Sequence, residues 1–178
     1  MIGLPGDTEE SCRFSAKEAA RLKPQLARLY PTVVLPGTEL KEMEDQGIYH
    51  PLSLEEAISR TAMMYKILAD AGILIMRVGL KSTDIISDSS FGDEKSGSYH
   101  PAFRELVEGE IARERIEALL EVLPSSPSKV TVYSNHSWLS QAAGHKGENK
   151  KYFKEKYPDI ELRFAVDDSL QPGEFKIK

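Results

Sequence analysis

The 178-residue chain is 40% hydrophobic and 29% charged, enough to bury a core and in keeping with one domain or two small ones. Its single cysteine, Cys12, excludes an internal disulfide, an all-cysteine zinc site and a self-contained iron–sulfur site, each of which needs several thiolates. The net charge of −5 argues against wholesale nucleic-acid binding, yet Lys129 to Lys156 holds six lysines against two acids, a balance of +4 that leaves −9 elsewhere and points to different partners for the two parts.

In chain order, Met1-Ile2-Gly3-Leu4 reads as the last turn of a strand. It has no basic flank and no apolar signal core, and no run approaches the roughly 20 apolar residues that span a bilayer. A cytoplasmic protein without a membrane partner is the expectation. Asp7 with Glu10 predicts a capped helix running to about Leu22, where Pro24 stops it. Cys12 reads as a small, semi-buried residue of that helix. Leu26 to Leu35 predicts a strand, interrupted by Pro31 at an edge or a bend.

Val33-Val34-Leu35-Pro36-Gly37-Thr38 reads as a buried strand ending in a tight turn. It is echoed by Leu4-Pro5-Gly6-Asp7-Thr8, 31 residues earlier, and by Gly79-Leu80-Lys81-Ser82-Thr83 later. About 30 residues accommodate a strand, a helix and their loops, so the echo predicts successive βα units whose strand ends share one rim. Ser53 and Glu56 form a capping box opening a helix that ends at Gly72, with Ala57, Ile58, Thr61, Met64, Tyr65 and Leu68 on one side. Met63-Met64-Tyr65 belongs to the core. Ile73 to Leu80 predicts a strand covered on both faces. Ser82 to Ser98 lacks periodicity and reads as a surface excursion or a lid over the rim.

Pro101 suits the first turn of a helix reaching about Val122. Pro124-Ser125-Ser126-Pro127-Ser128 then reads as a linker, dividing residues 1–123 from 129–178. Beyond it the predicted order is strand (Val130 to Tyr133), helix (Ser137 to Ala143), Gly144-His145-Lys146-Gly147, helix (Glu148 to Tyr157) and strand (Ile160 to Val166). His50 and His100 each precede a proline without a carboxylate constellation, which favours loop roles. No catalytic residue and no metal ligand set emerges.

Four segments carry a resemblance. They are Gly3-Leu4-Pro5-Gly6-Asp7-Thr8; Arg28-Leu29-Tyr30-Pro31-Thr32 with Gly37-Thr38-Glu39-Leu40; Pro51-Leu52-Ser53-Leu54-Glu55-Glu56-Ala57; and Tyr99-His100-Pro101-Ala102-Phe103-Arg104-Glu105-Leu106-Val107. Together, over residues 1 to 120, they resemble the later half of radical S-adenosylmethionine (SAM) proteins. Those of the Elongator catalytic subunit family are most similar, followed by oxygen-independent coproporphyrinogen oxidase-like proteins. The resemblance implies an α/β fold, a fragment of a partial (β/α) barrel. It further implies SAM along the strand ends, beside a 4Fe-4S cluster held by Cys-x-x-x-Cys-x-x-Cys. That motif is absent here, so the chain reads as a C-terminal part that binds no cluster and cleaves no SAM by itself. The acetyltransferase domain of Elongator-type proteins is also absent from the sequence. By the resemblance, Gly3, Leu4, Pro5, Gly6, Leu35 and Pro36 line the SAM-binding rim; the plain alternative is turn chemistry. Loss of upstream neighbours leaves an open strand edge, and a homodimer through it is expected.

The C-terminal order resembles the minimal core of a KH domain, an RNA-binding α+β unit. The resemblance implies a clamp in which Gly144, His145, Lys146 and Gly147 approach a sugar-phosphate backbone, with Lys150 and Lys151 supplying charge. Ala143, where KH domains have a larger aliphatic residue, and the acidic Glu148 depart from the pattern. A helix C-cap followed by an ordinary turn is the alternative. Three functions compete: the tail of a radical SAM enzyme acting on RNA, tRNA modification being the model case; a stand-alone nucleic-acid-binding protein on a degenerate βα scaffold; and an oxidase-like protein whose residues 129–178 serve only structure.

Overall fold

A computed structural model describes residues 1–81, 96–123 and 127–178. The chain divides into two compact units, Met1–Val107 and Glu108–Lys178. The division falls inside a continuous helix, whereas the sequence suggests residues 124–128. The reason is that the second half of that helix packs Ile116 and Leu120 into the C-terminal core. Residues 124–126 of the expected linker and 82–95 of the expected lid or excursion, with Ser82 and Thr83 of the third echo, lie outside the described residues.

In the first unit, helix α1 (Glu9–Arg21) starts at Thr8 rather than Asp7. The Thr8 hydroxyl accepts from the Ser11 amide while Ser11 Oγ accepts from the Thr8 amide, which satisfies two end donors reciprocally. Asp7 is drawn back instead, accepting from the Leu4 amide at 3.0 Å. The stretch expected as one strand splits into β1 (Leu26–Leu29) and β2 (Val33–Val34). Between them Pro31 forms a parallel bridge with Ile2, framed by Ile2 N donating to Tyr30 O and Thr32 N to Ile2 O. A residue with no amide hydrogen interrupts β1 there, and the chain bends so that β2 pairs antiparallel with β4 (Ser96–Gly97).

Helices α2 (Glu39–Asp45) and α3 (Leu54–Asp70) follow, α3 opened by the Ser53/Glu56 capping box. Strand β3 (Leu74–Val78) then pairs in parallel with β1, Leu26 opposite Leu74 and Leu29 opposite Val78. Ile2, β1 and β3 therefore run the same way, and Gly3, Tyr30 and Gly79 leave them at one rim. Helix α1 packs on α3. The expectation that both faces of β3 are covered is not met: Ile75 and Val78 are buried, but Leu74 is 63% and Met76 44% exposed. Continuous apolar sequence cannot separate a two-faced core strand from one with an open face.

Helix α4 (Phe103–Glu121) crosses into the second unit. There β5 (Lys129–Ser134) is central, parallel to β6 (Glu161–Val166) and antiparallel to β7 (Phe175–Ile177). A 3-10 turn at His136–Trp138 leads into α5 (Leu139–Ala143). A second at His145–Gly147 leads into α6 (Glu148–Lys156). Ile116, Leu120, Val130, Val132, Ala142 and Phe153 form the core, and buried Trp138 meets Phe175 edge to face at 6.2 Å. Strand β7 was not foreseen, because three residues after a proline-glycine turn show too little alternation.

Candidate functional site

Two places meet the description of a site, the strand-end rim of the first unit and the helix–turn–helix of the second. At the rim, Gly3 has φ +84°, and a Cβ there would sit 2.9 Å from Leu52 Cδ1. Its carbonyl accepts from the buried Tyr49 hydroxyl at 2.6 Å. Gly3 is therefore enclosed by the chain itself and has no room for a ligand. Leu4, Pro5 and Gly6 are exposed, and nothing lies within 4 Å of a Cβ placed on Gly6. Leu35 and Pro36 are half-buried. The Leu35 carbonyl accepts from the Thr38 hydroxyl that caps α2. Ile2 bridges Pro31, so the Leu4–Gly6 turn leaves the sheet beside Tyr30 and Pro31, whereas Leu35 and Pro36 follow β2, which pairs with β4 in a separate sheet.

The exposed part of this rim is apolar and open, which fits the face of an adenine ring; Gly3 does not take part. The iron–sulfur cluster does not fit. Cys12 is buried in α1, burial with the nearby Asp7 carboxylate pushes its thiol up, and no group of three His, Cys, Asp or Glu side chains able to hold a metal occurs among the described residues.

In the second unit the two glycines of Gly144-His145-Lys146-Gly147 differ in kind. Gly144 has φ 79° and ψ 159°, a region essentially closed to other residues. A Cβ there would lie 2.6 Å from Asn149 N. Asn149 is buried and donates from its amide to Gly109 O at 2.8 Å and to Gln141 O at 3.1 Å. Gly147 is left-handed, with nothing within 4 Å of a Cβ. Lys146 between them is exposed and also left-handed, φ 50°. The first glycine serves packing, and the second leaves the backbone open to solvent.

Lysines flank that opening. Lys150 and Lys151 project from α6 into solvent, Lys151 lying 4.0 Å from Glu155 and Lys150 Nζ 5.7 Å over the Phe164 ring. His145 is half-buried. The expected residues are divided: Gly144 serves packing and His145 is half-buried, while Lys150 borders features that sequence reading missed. A cavity of about 430 Å³ is lined by His136, Leu139, Ser140, Ala143, Lys150 and Phe164. A second, of about 480 Å³, continues from Lys150 and Phe164 past Lys154, Leu162 and Ile160. Sharing two residues, they form one groove between the helices and the outer edge of β6. Glu161 N donates to Ser128 O and Asp167 N to Ser134 O, so the amides of Leu162 and Phe164 face the other way, along the groove side of the edge.

The opposite flank of α6 is committed to the fold. Glu117 of α4 accepts from the hydroxyls of Tyr152 (2.9 Å) and Tyr157 (3.4 Å) and from the Lys156 ammonium. Burial works to raise the Glu117 pKa, but the hydrogen bonds, led by that from Lys156, outweigh it and hold the carboxyl below its usual range. At the groove's end, the backbone amide and the ring of His136 both bond to Asp168 Oδ1, at 3.1 and 2.8 Å. These bonds hold the Asp168 carboxyl below its usual range.

Comparison with known proteins agrees with the first unit. Residues 24–113, half of the chain, match the Radical_SAM C-terminal domain, and the chain belongs to that family. It is 41% identical over 61 residues to the tRNA uridine(34) acetyltransferase of Methanocaldococcus jannaschii, covering 33% of this chain and 11% of that protein. It is 36% identical over 59 residues to an uncharacterized protein of the same organism, covering 33% and 18%. The matched stretches are thus a small part of both relatives. No solved structure matches the chain. No helix among the described residues is long and apolar enough to cross a membrane.

Proposed function

We propose that the chain serves a radical SAM enzyme acting on RNA, a tRNA modification, and that Glu108–Lys178 is its RNA-binding unit, of KH-like character. The observation that carries the reading is the Gly147 turn, sterically open and left-handed, next to Lys146 and followed by Lys150, which lines a groove together with Phe164. Lys146, Lys150 and Lys154 make no ion pair among the described residues, and their charge suits a sugar-phosphate backbone. The family and the name of the M. jannaschii relative support the enzyme class. Leu4, Pro5, Gly6, Leu35 and Pro36 are the residues that would border SAM. The radical chemistry belongs to SAM and a cluster held by thiolates other than those of this chain, whose own contribution is to bind and orient RNA. The reading also places the protein in the cytoplasm. It expects self-association, favoured by the open face of Leu74 and Met76 beside exposed Leu26.

Short single-stranded RNA should bind the chain with an affinity that falls as salt rises, three phosphate contacts giving a log–log slope of about −2. The double variant Gly147→Asp/Lys146→Ala should bind about tenfold more weakly without a change in circular dichroism. Equal affinity of wild type and variant at low salt refutes the clamp.

A further inference from the structure

We infer that the cavity bounded by His136, Leu139, Ser140, Ala143, Lys150 and Phe164 is a one-nucleotide subsite that selects RNA over DNA, with His136 as the group that recognises the ribose 2′-hydroxyl. The inference rests on the RNA reading above and assigns it residues outside the glycine turn. At about 430 Å³ the cavity has the size of a single nucleotide. Its composition is divided: Leu139, Ala143 and Phe164 offer an apolar surface for a base, and Lys150, whose ammonium lies 5.7 Å over the Phe164 ring, supplies charge for a phosphate.

The remaining polar end is His136 and Ser140. Ser140 donates its hydroxyl proton to Gln141 Oε1 at 2.7 Å, leaving lone pairs that accept. The His136 ring bonds through Nδ1 to Asp168 Oδ1, a carboxylate that can only accept. The proton of the neutral imidazole therefore sits on Nδ1, and Nε2 is left as a bare acceptor. Two acceptors at that end call for a donor on the ligand. A phosphate diester has none, whereas a ribose 2′-hydroxyl donates and a deoxyribose lacks it. The ring–carboxylate contact adds little to the fold, since the His136 and Asp168 side chains are 73% and 62% exposed and a hydrogen bond so exposed to water contributes little stability. The two residues come from separate segments after β5 and β6, whose parallel pairing carries both strands out at the same end.

The experiment measures the affinity of the full chain for a short RNA and for DNA of the same sequence, in the wild type, His136→Ala and Asp168→Asn. The wild type should prefer RNA. His136→Ala should lose about tenfold in RNA affinity, the value of one hydrogen bond, with less than about a twofold change for DNA. Asp168→Asn, which frees the ring to present its other tautomer, should lose most of the same preference. An RNA/DNA ratio unchanged in His136→Ala overturns the subsite while leaving the glycine clamp standing. An equal loss for RNA and DNA overturns it too, because a base amino group would then be the donor. Failure of the wild type to bind RNA at all removes both readings.

Discussion

In Met1–Val107 two glycines at the ends of parallel strands are closed by the chain's own side chains, although Gly6 beyond the first stays open: Leu52 fills the space above Gly3, and Phe103 that above Gly79, where a Cβ would lie 2.9 Å from Phe103 Cβ. In Glu108–Lys178 Gly144 is closed in the same way by Asn149, whereas the turn at Gly147 is left uncovered, and Lys150, three residues on, lines a cavity. Positive-φ glycines occur in both units, so their presence alone does not mark a site. What a Cβ would touch separates a glycine needed for packing from one that leaves its backbone accessible.

The sharpest way to break this contrast is Gly144→Ala. Forbidden backbone angles combined with a clash against backbone should cost about 4 kcal/mol, read as a lowered urea midpoint with the second unit unfolded. Gly79→Ala should follow at about 3 kcal/mol in the first unit, since the Phe103 Cβ cannot swing aside. A loss below 1 kcal/mol in either would show that the enclosure is not real.

Glu117→Gln comes next, at about 2 kcal/mol at neutral pH, because a charged acceptor of several hydrogen bonds is removed. The native carboxyl titrates below its unfolded value. Its stabilisation is therefore complete above the unfolded pKa of about 4.3 and lost as pH falls through the lowered native value. Denaturation midpoints of wild type and variant should converge toward acid pH; a gap that persists at pH 2 contradicts the assignment. The smallest effect, about 1 kcal/mol, is expected for Gly147→Ala, where only the left-handed backbone is penalised. A loss as large as that of Gly144→Ala would erase the difference between the two glycines.

The Ser53/Glu56 capping box, the helix ending at Gly72 and the strand–helix–turn–helix–strand order were legible because each is written in residues close in sequence. The rim was legible as a repeated turn, though Gly3 proved to be sealed by Leu52, a contact 49 residues away that no local pattern announces. The same limit hid the groove. Phe164 and Lys150 meet across a helix and a strand, and His136 reaches Asp168 only because β5 and β6 are parallel. The cap at Thr8 was missed by one residue, since Asp7 was free to bond backward to Leu4 instead.

Asn149 has a consequence for recognising this turn in other chains. Its amide must donate to two carbonyls at once, those of Gly109 and Gln141, which aspartate cannot do and for which most other side chains lack the second proton. The backbone of the same residue makes the first glycine obligatory. Two glycines three apart are common by chance, but the turn built here is a six-position pattern, Gly-x-x-Gly-x-Asn, whose asparagine also ties the turn to the carbonyl of Gly109, 35 positions before the first glycine. A scan that demands all three residues separates chains able to form this turn from those that only share its glycines.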